Sequence, residues 1–140
     1  MNRFTVDASF FIKCFVQEIH SDTVLAFLSQ GHELIVPDLF FTEITNVLWK
    51  KVQRHQMETD DVQYALELLL QMDFIVLPTK PLVDLALEIS LHHGCSAYDA
   101  TYLAAAIESS SFLVTADRRF YNMLKNSAYA PHLLWVENVV

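Results

Sequence analysis

The sequence predicts an α/β fold, a three-layer sandwich around a central, mainly parallel five-stranded sheet. Short apolar runs of strand type alternate along the chain with longer stretches of helical period. One or two helices separate successive strands, a spacing that calls for parallel crossovers. Composition agrees: 53% of the 140 residues are hydrophobic, 19% are charged and only two are glycine. Such a chain can bury a sizeable core, which excludes disorder as its main state. Residues 1–140 fit one domain by length, with no repeat, low-complexity tract or linker between them.

The first strand is expected from Arg3 to Val6. Ser9 to Phe15 reads as a short helix, and Ser21 as the N-cap of a helix running through Val24, Leu25 and Leu28 until Gly31 stops it. Glu33 to Val36 is the second strand, ended by Pro37. Asp38 is expected to cap the following helix, where Leu39, Phe40, Ile44, Val47 and Leu48 recur at 3.6-type spacing and Lys50, Lys51 and Arg54 complement the dipole at the C-terminal end. Thr59 opens another helix, with Asp60 and Asp61 in its first turn. Phe74 to Leu77 is the third strand, closed by Pro78. A helix from Pro81 to His93 ends at Gly94, and the next is capped at Ser96 and continues to Glu108. Phe112 to Thr115 is the fourth strand, Asp117 to Lys125 the last helix, and Leu133 to Val136 the fifth strand.

Several function classes drop out. Phosphate-cradling loops need closely spaced glycines, and Gly31 and Gly94 stand far apart, so neither a Walker A loop nor a dinucleotide-binding GxGxxG is present. Asp7 interrupts any signal-peptide core, and no uncharged apolar run reaches the ~18 residues of a membrane span, which leads to the expectation of a soluble, cytoplasmic protein. Cys14 and Cys95 lack CxxC spacing and are expected to be buried small hydrophobes, not zinc ligands or a disulfide. His20, His32, His55, His92, His93 and His132 show no ligand spacing and are expected in surface or loop roles.

Charge poses the sharper question. Seventeen acids against nine bases give a net charge of -8, whereas a protein that grips nucleic acid through phosphates is usually basic. Ligands of open parallel sheets bind beyond the carboxyl ends of the strands, and four acids fall at that edge. Asp7 follows the first strand, Glu43 lies in the second turn after the second strand, Asp99 starts the helix before the fourth strand, and Asp117 lies two residues past it. Each has a local explanation of its own. Ser96 and Asp99 form an S-x-x-D capping box, Asp117 suits a helix N-terminus, Asp7 suits a turn or N-cap, and Glu43 shares a helix face with Phe40 and Val47. Their joint position points further, because clustered carboxylates raise one another's pKa and call for a cation. Hard divalent ions such as Mg²⁺ and Mn²⁺ prefer oxygen ligands and support phosphoryl chemistry. With those four acids set aside, the surplus of negative charge falls to four.

The residues in this order resemble the PIN-domain ribonucleases, and are most similar to the VapC toxins of bacterial type II toxin–antitoxin systems. The carriers are Val6-Asp7-Ala8-Ser9, Val36-Pro37 leading to Glu43-Ile44-Thr45-Asn46-Val47-Leu48, Ser96-Ala97-Tyr98-Asp99-Ala100-Thr101-Tyr102-Leu103-Ala104, and Thr115-Ala116-Asp117-Arg118-Arg119-Phe120. They span nearly the whole chain. The resemblance implies a PIN-like fold and an acidic site of Asp7, Glu43, Asp99 and Asp117 for Mg²⁺ or Mn²⁺. It also implies water attack on an RNA phosphodiester that leaves a 5′-phosphate and a 3′-hydroxyl. Ser9, Asn46 and Thr115 match supporting polar positions that orient carboxylates or water. The same resemblance implies a homodimer and an antitoxin whose tail covers the groove, a basic segment suiting an acidic toxin. RNA must then meet a local patch, for which Lys13, Lys50, Lys51, Arg54, Arg118 and Arg119 are the candidates.

Two rival enzymes of similar shape lack a required residue. A phospho-acceptor receiver needs an aspartate at the end of the third strand, where Leu77-Pro78-Thr79 stands, and a haloacid-dehalogenase-type phosphatase needs one at position 9, which is serine. A non-catalytic PIN-like binding or assembly module remains as the alternative.

Overall fold

The computed structural model describes residues 2–16 and 21–139. Five strands form one parallel sheet in the order β3-β2-β1-β4-β5: β1 Arg3–Val6, β2 Glu33–Pro37, β3 Phe74–Leu77, β4 Phe112–Thr115 and β5 Leu133–Trp135. The flanking α-helices among the described residues are α1 Ala8–Ile12, α2 Ser21–Leu28, α3 Leu39–Gln53, α4 Thr59–Leu70, α5 Val83–His93, α6 Ala97–Glu108 and α7 Arg118–Leu124. All four strand pairings are parallel, with Thr5 registered on Ile35 to one side and Leu113 to the other. The α/β sandwich expected from alternating periods is therefore the observed fold.

Strand order positions the site. From β1 the chain builds outward through β2 and β3, then returns to the other side of β1 for β4 and β5. The direction of winding reverses between β1 and β4, and crevices open at such switch points beyond the carboxyl ends of the strands. Helix α6 packs over β1, β2 and β4. Its Ala100, Ala104, Ala105 and Ala106 are fully buried, and their small side chains let the helix sit low on the sheet. Beneath α1, the rings of Phe10, Phe11, Phe27, Phe40 and Phe74 meet edge-on or tilted at centroid separations from 5.2 to 6.0 Å. This geometry favours aromatic packing over face-to-face stacking.

Element ends show where local signals were overridden. Ser96 caps α6 by accepting from the Asp99 N–H at 3.1 Å, and Gly94 ends α5 with φ 76°, a left-handed cap that glycine adopts without Cβ strain. The first helix starts at Ala8, not Ser9, because Asp7 caps it, and it ends at Ile12. Ser21, expected as a cap, is the first helical residue of α2, and its hydroxyl donates to the Val16 carbonyl at 2.8 Å. Asp38 does not cap α3. Its backbone is already helical, and its carboxylate accepts instead from the Thr79 hydroxyl and from the Thr79 N–H at 3.3 Å. Lys80–Leu82 form a separate 3-10 turn before α5, and Val136 leaves β5 for another. Cys14 and Cys95 are free and half-buried. His32 is half-buried with its ring 4.9 Å from Phe4 and 5.0 Å from Phe27, and His20 lies outside the described residues.

Candidate active site

Asp7, Glu43, Asp99 and Asp117 line one cavity of about 320 Å³ beyond the carboxyl ends of β1 and β4. Each comes from a different junction, and all four are half-buried. Asp7 is held most firmly. Its Oδ1 accepts from the Phe10 N–H at 2.8 Å, capping α1, and from the Ser9 hydroxyl at 2.9 Å. Its Oδ2 accepts from Thr115 Oγ1 at 3.4 Å. That same hydroxyl accepts from the Asp117 N–H at 3.0 Å, while Asp117 Oδ1 caps α7 by accepting from the Phe120 N–H at 3.1 Å. The fully buried Thr115 thus ties the first acid to the last across the switch point. Ser9 and Thr115, expected as supporting groups, both donate to Asp7.

Electrostatics single out three of these acids, Asp7, Glu43 and Asp99. Burial pushes Asp7 up to about 6, against its hydrogen bonds to Phe10 and Ser9, and the charges of Asp99 and Asp117 push the same way. Glu43 and Asp99 are also raised, first by burial, then for Glu43 by the Asp99 charge and for Asp99 by Asp117. Carboxylates that repel one another while partly desolvated favour a proton or a cation.

The cavity has a basic wall as well. Lys50, Lys51 and Arg54 line it beside Val47 on the face of α3 that carries Glu43, at the helical spacings that share one stripe. Asn46 departs from the expectation: it is exposed and does not line the cavity, since a three-residue step from Glu43 falls about 60° short of a full turn, on the side away from the stripe. Lys13 ends α1 outside the cavity. Arg118 lies 3.9 Å above the Trp135 ring in a cation–π arrangement and does not line the acidic cavity. Arg119 lines a neighbouring cavity that also touches Asp99 and Asp117.

Tyr102 is the residue that sequence reasoning missed. It is buried, lines the cavity, and donates from its hydroxyl to Glu43 Oε2 at 2.9 Å. Its position three residues after Asp99, on the same face of a helix, was the available signal.

Among the described residues, no group of three or more His, Cys, Asp and Glu side chains stands close enough to hold an ion. The four acids are therefore not a preformed cage. Asp7 and Asp117 are each bound to their own helix N-terminus. The donor chemistry still suits Mg²⁺ or Mn²⁺, because such ions take hard oxygen ligands, often only one or two carboxylates, and keep several of their waters.

A PIN-domain family model matches residues 4–125. The chain belongs to the PIN-domain family. Ribonuclease VapC3 from Pyrobaculum aerophilum is 32% identical over 120 residues, which cover 84% of this PIN chain and 91% of that protein. Among solved structures, PAE2754 from Pyrobaculum aerophilum superposes with a TM-score of 0.70 at 26% identity, covering 97% of this chain and 85% of the other. A toxin–antitoxin complex from Klebsiella pneumoniae shares the PIN fold, with a TM-score of 0.60, 16% identity and 96% of each chain covered.

Proposed function

We propose that this PIN domain, residues 1–140 acting as one unit on one sheet, is a metal-dependent endoribonuclease. In this reading it is the toxin of a toxin–antitoxin pair and hydrolyses RNA phosphodiesters to 5′-phosphate and 3′-hydroxyl products. The observation that carries the reading is the meeting of Asp7, Glu43, Asp99 and Asp117 in one cavity opposite Lys50, Lys51 and Arg54. The 32% identity to a named VapC ribonuclease supports it.

Asp7, Glu43, Asp99 and Asp117 would hold Mg²⁺ or Mn²⁺, which when bound neutralises phosphate charge and lowers the pKa of an attacking water. The protein's own part is orientation and proton handling. Ser9, Thr115 and the α1 N-terminus prevent Asp7 from rotating. Glu43, made more basic by burial and aimed by Tyr102, takes the proton that the attacking water loses. The basic wall of α3 draws RNA phosphates to a molecule whose net charge would repel them.

The partners in this reading are RNA, a second copy of the chain and an antitoxin with a basic segment matched to the acids. The K. pneumoniae neighbour is itself a toxin–antitoxin complex. The site of action is the cytoplasm, and among the described residues no helix is long and apolar enough to cross a membrane.

The test is cleavage of tRNA and rRNA by purified protein freed of bound partner. Mg²⁺ or Mn²⁺ should support cleavage, EDTA should stop it, and Asp99→Asn should abolish it while the circular dichroism spectrum is retained. Absence of metal-dependent cleavage by the wild type would leave a non-catalytic PIN-like binding module.

A further inference from the structure

We propose that the cavity between α6 and α7 is a nucleotide subsite, which takes one unpaired nucleotide next to the scissile phosphate. This inference rests on the nuclease reading and adds the place where a nucleotide beside the scissile phosphate is held. The cavity measures about 300 Å³ and shares Asp99 and Asp117 with the larger acidic cavity, so those two acids form the ridge between them. That volume lies at the lower end of small-ligand pockets and is sufficient for one base with its sugar. Cys95, Phe120 and Met123 line it with apolar surface, and Arg119 contributes the positive charge.

The two arginines of α7 divide their roles. Arg118 is engaged over Trp135, whereas Arg119 is exposed and lines the recess, where its permanently charged fork suits a phosphate. On the far side of the ridge stand Lys50, Lys51 and Arg54. A strand crossing Asp99 and Asp117 would therefore meet positive charge before and after the acids. A paired duplex cannot place a base in the recess without unpairing it, and this selects single-stranded segments or loops.

The two cysteines permit a direct test. In a Cys14→Ser, Glu43→Gln double variant, Cys95 is the sole thiol, and the catalytic carboxylate is neutral while keeping an oxygen for Tyr102. The rate of Cys95 alkylation by N-ethylmaleimide is measured by mass spectrometry in Mg²⁺, with and without a fluorescein-labelled single-stranded RNA of about 12 nucleotides. Binding is followed by anisotropy. Bound RNA should slow alkylation at least several-fold. In the parent protein, Arg119→Ala should raise KM with little change in kcat, and should flatten the slope of log binding constant against log salt by about 0.7. RNA that binds without slowing alkylation overturns the subsite. If the wild type cleaves RNA in the same preparations, the nuclease reading survives that failure; if no RNA binds and none is cleaved, both fall.

Discussion

The Tyr102 hydroxyl donates to Glu43 Oε2 at 2.9 Å across 59 residues of sequence, from a ring that is 1% exposed. One carboxylate of the acid cavity is thus aimed by the helix that also carries Asp99. Tyr102 is a positioning residue in this arrangement, because it acts through Glu43. Tyr102→Phe should lower kcat by roughly 10–100-fold, the usual cost of losing a group that orients a ligand. It should also raise the divalent-ion concentration needed for half-maximal thermal stabilisation, a shift that a purely structural role would not produce. Loss of melting temperature alone, with kcat and ion dependence unchanged, would remove Tyr102 from the site.

Asp7 should make the metal-free protein less stable at neutral pH. Its folded pKa of about 6 lies above the ordinary value of 3.8, so between those values the folded state binds more protons than the unfolded one. Stability from this group is greatest below pH 4, falls as pH rises to 6 and is level above. Asp7→Asn keeps an oxygen for the Phe10 N–H and removes the charge. At pH 7.5 in EDTA it should be more stable than wild type by about 2 kcal/mol, with the difference vanishing near pH 3.5. Melting curves at the two pH values decide the matter, and an equal effect at both would refute it.

Divalent cation should raise the melting temperature of the wild type, since an ion bound only by the folded state stabilises it, by about 2.7 kcal/mol at a hundredfold excess over Kd. Asp99 bears on both Asp7 and Glu43 and is itself raised by Asp117, so Asp99→Asn should suppress most of the shift. Equal shifts in differential scanning fluorimetry would place the ion elsewhere.

Removing the basic wall should affect binding more than chemistry. Lys50→Ala with Arg54→Ala should weaken RNA binding uniformly across sequences and reduce the salt slope by about 1.4, near 0.7 for each lost phosphate contact with a single strand. Lys13→Ala, outside the cavity, should leave the slope unchanged. Binding titrations at several salt concentrations compare the two, and matching slopes for all three proteins would remove α3 from the RNA path.

Much of this was legible in the chain. Arg3–Val6, Phe74–Leu77 and Phe112–Thr115 begin and end where their apolar runs do, and Ser96 and Gly94 act as caps where the pattern puts them. Asp38 does not cap its helix because a side chain that suits a cap can find a better partner in a residue distant in sequence, here Thr79, 41 residues away. Asn46 lies three residues from Glu43 in sequence but off the helix stripe that lines the cavity, and the two arginines of α7 are equivalent in sequence until Trp135 captures one of them.

The sequence by itself determined the element types and the placement of four acids at strand ends, because periodicity and capping act over a few neighbouring residues. Only the tertiary structure decided that β4 returns beside β1, so that Thr115 can bridge Asp7 and Asp117, and that α6 lies with Tyr102 against Glu43. It also decided which bases share a cavity with the acids. Those relationships span up to 108 residues and depend on strand order and helix rotation, which the burial of the whole core sets and no local pattern encodes.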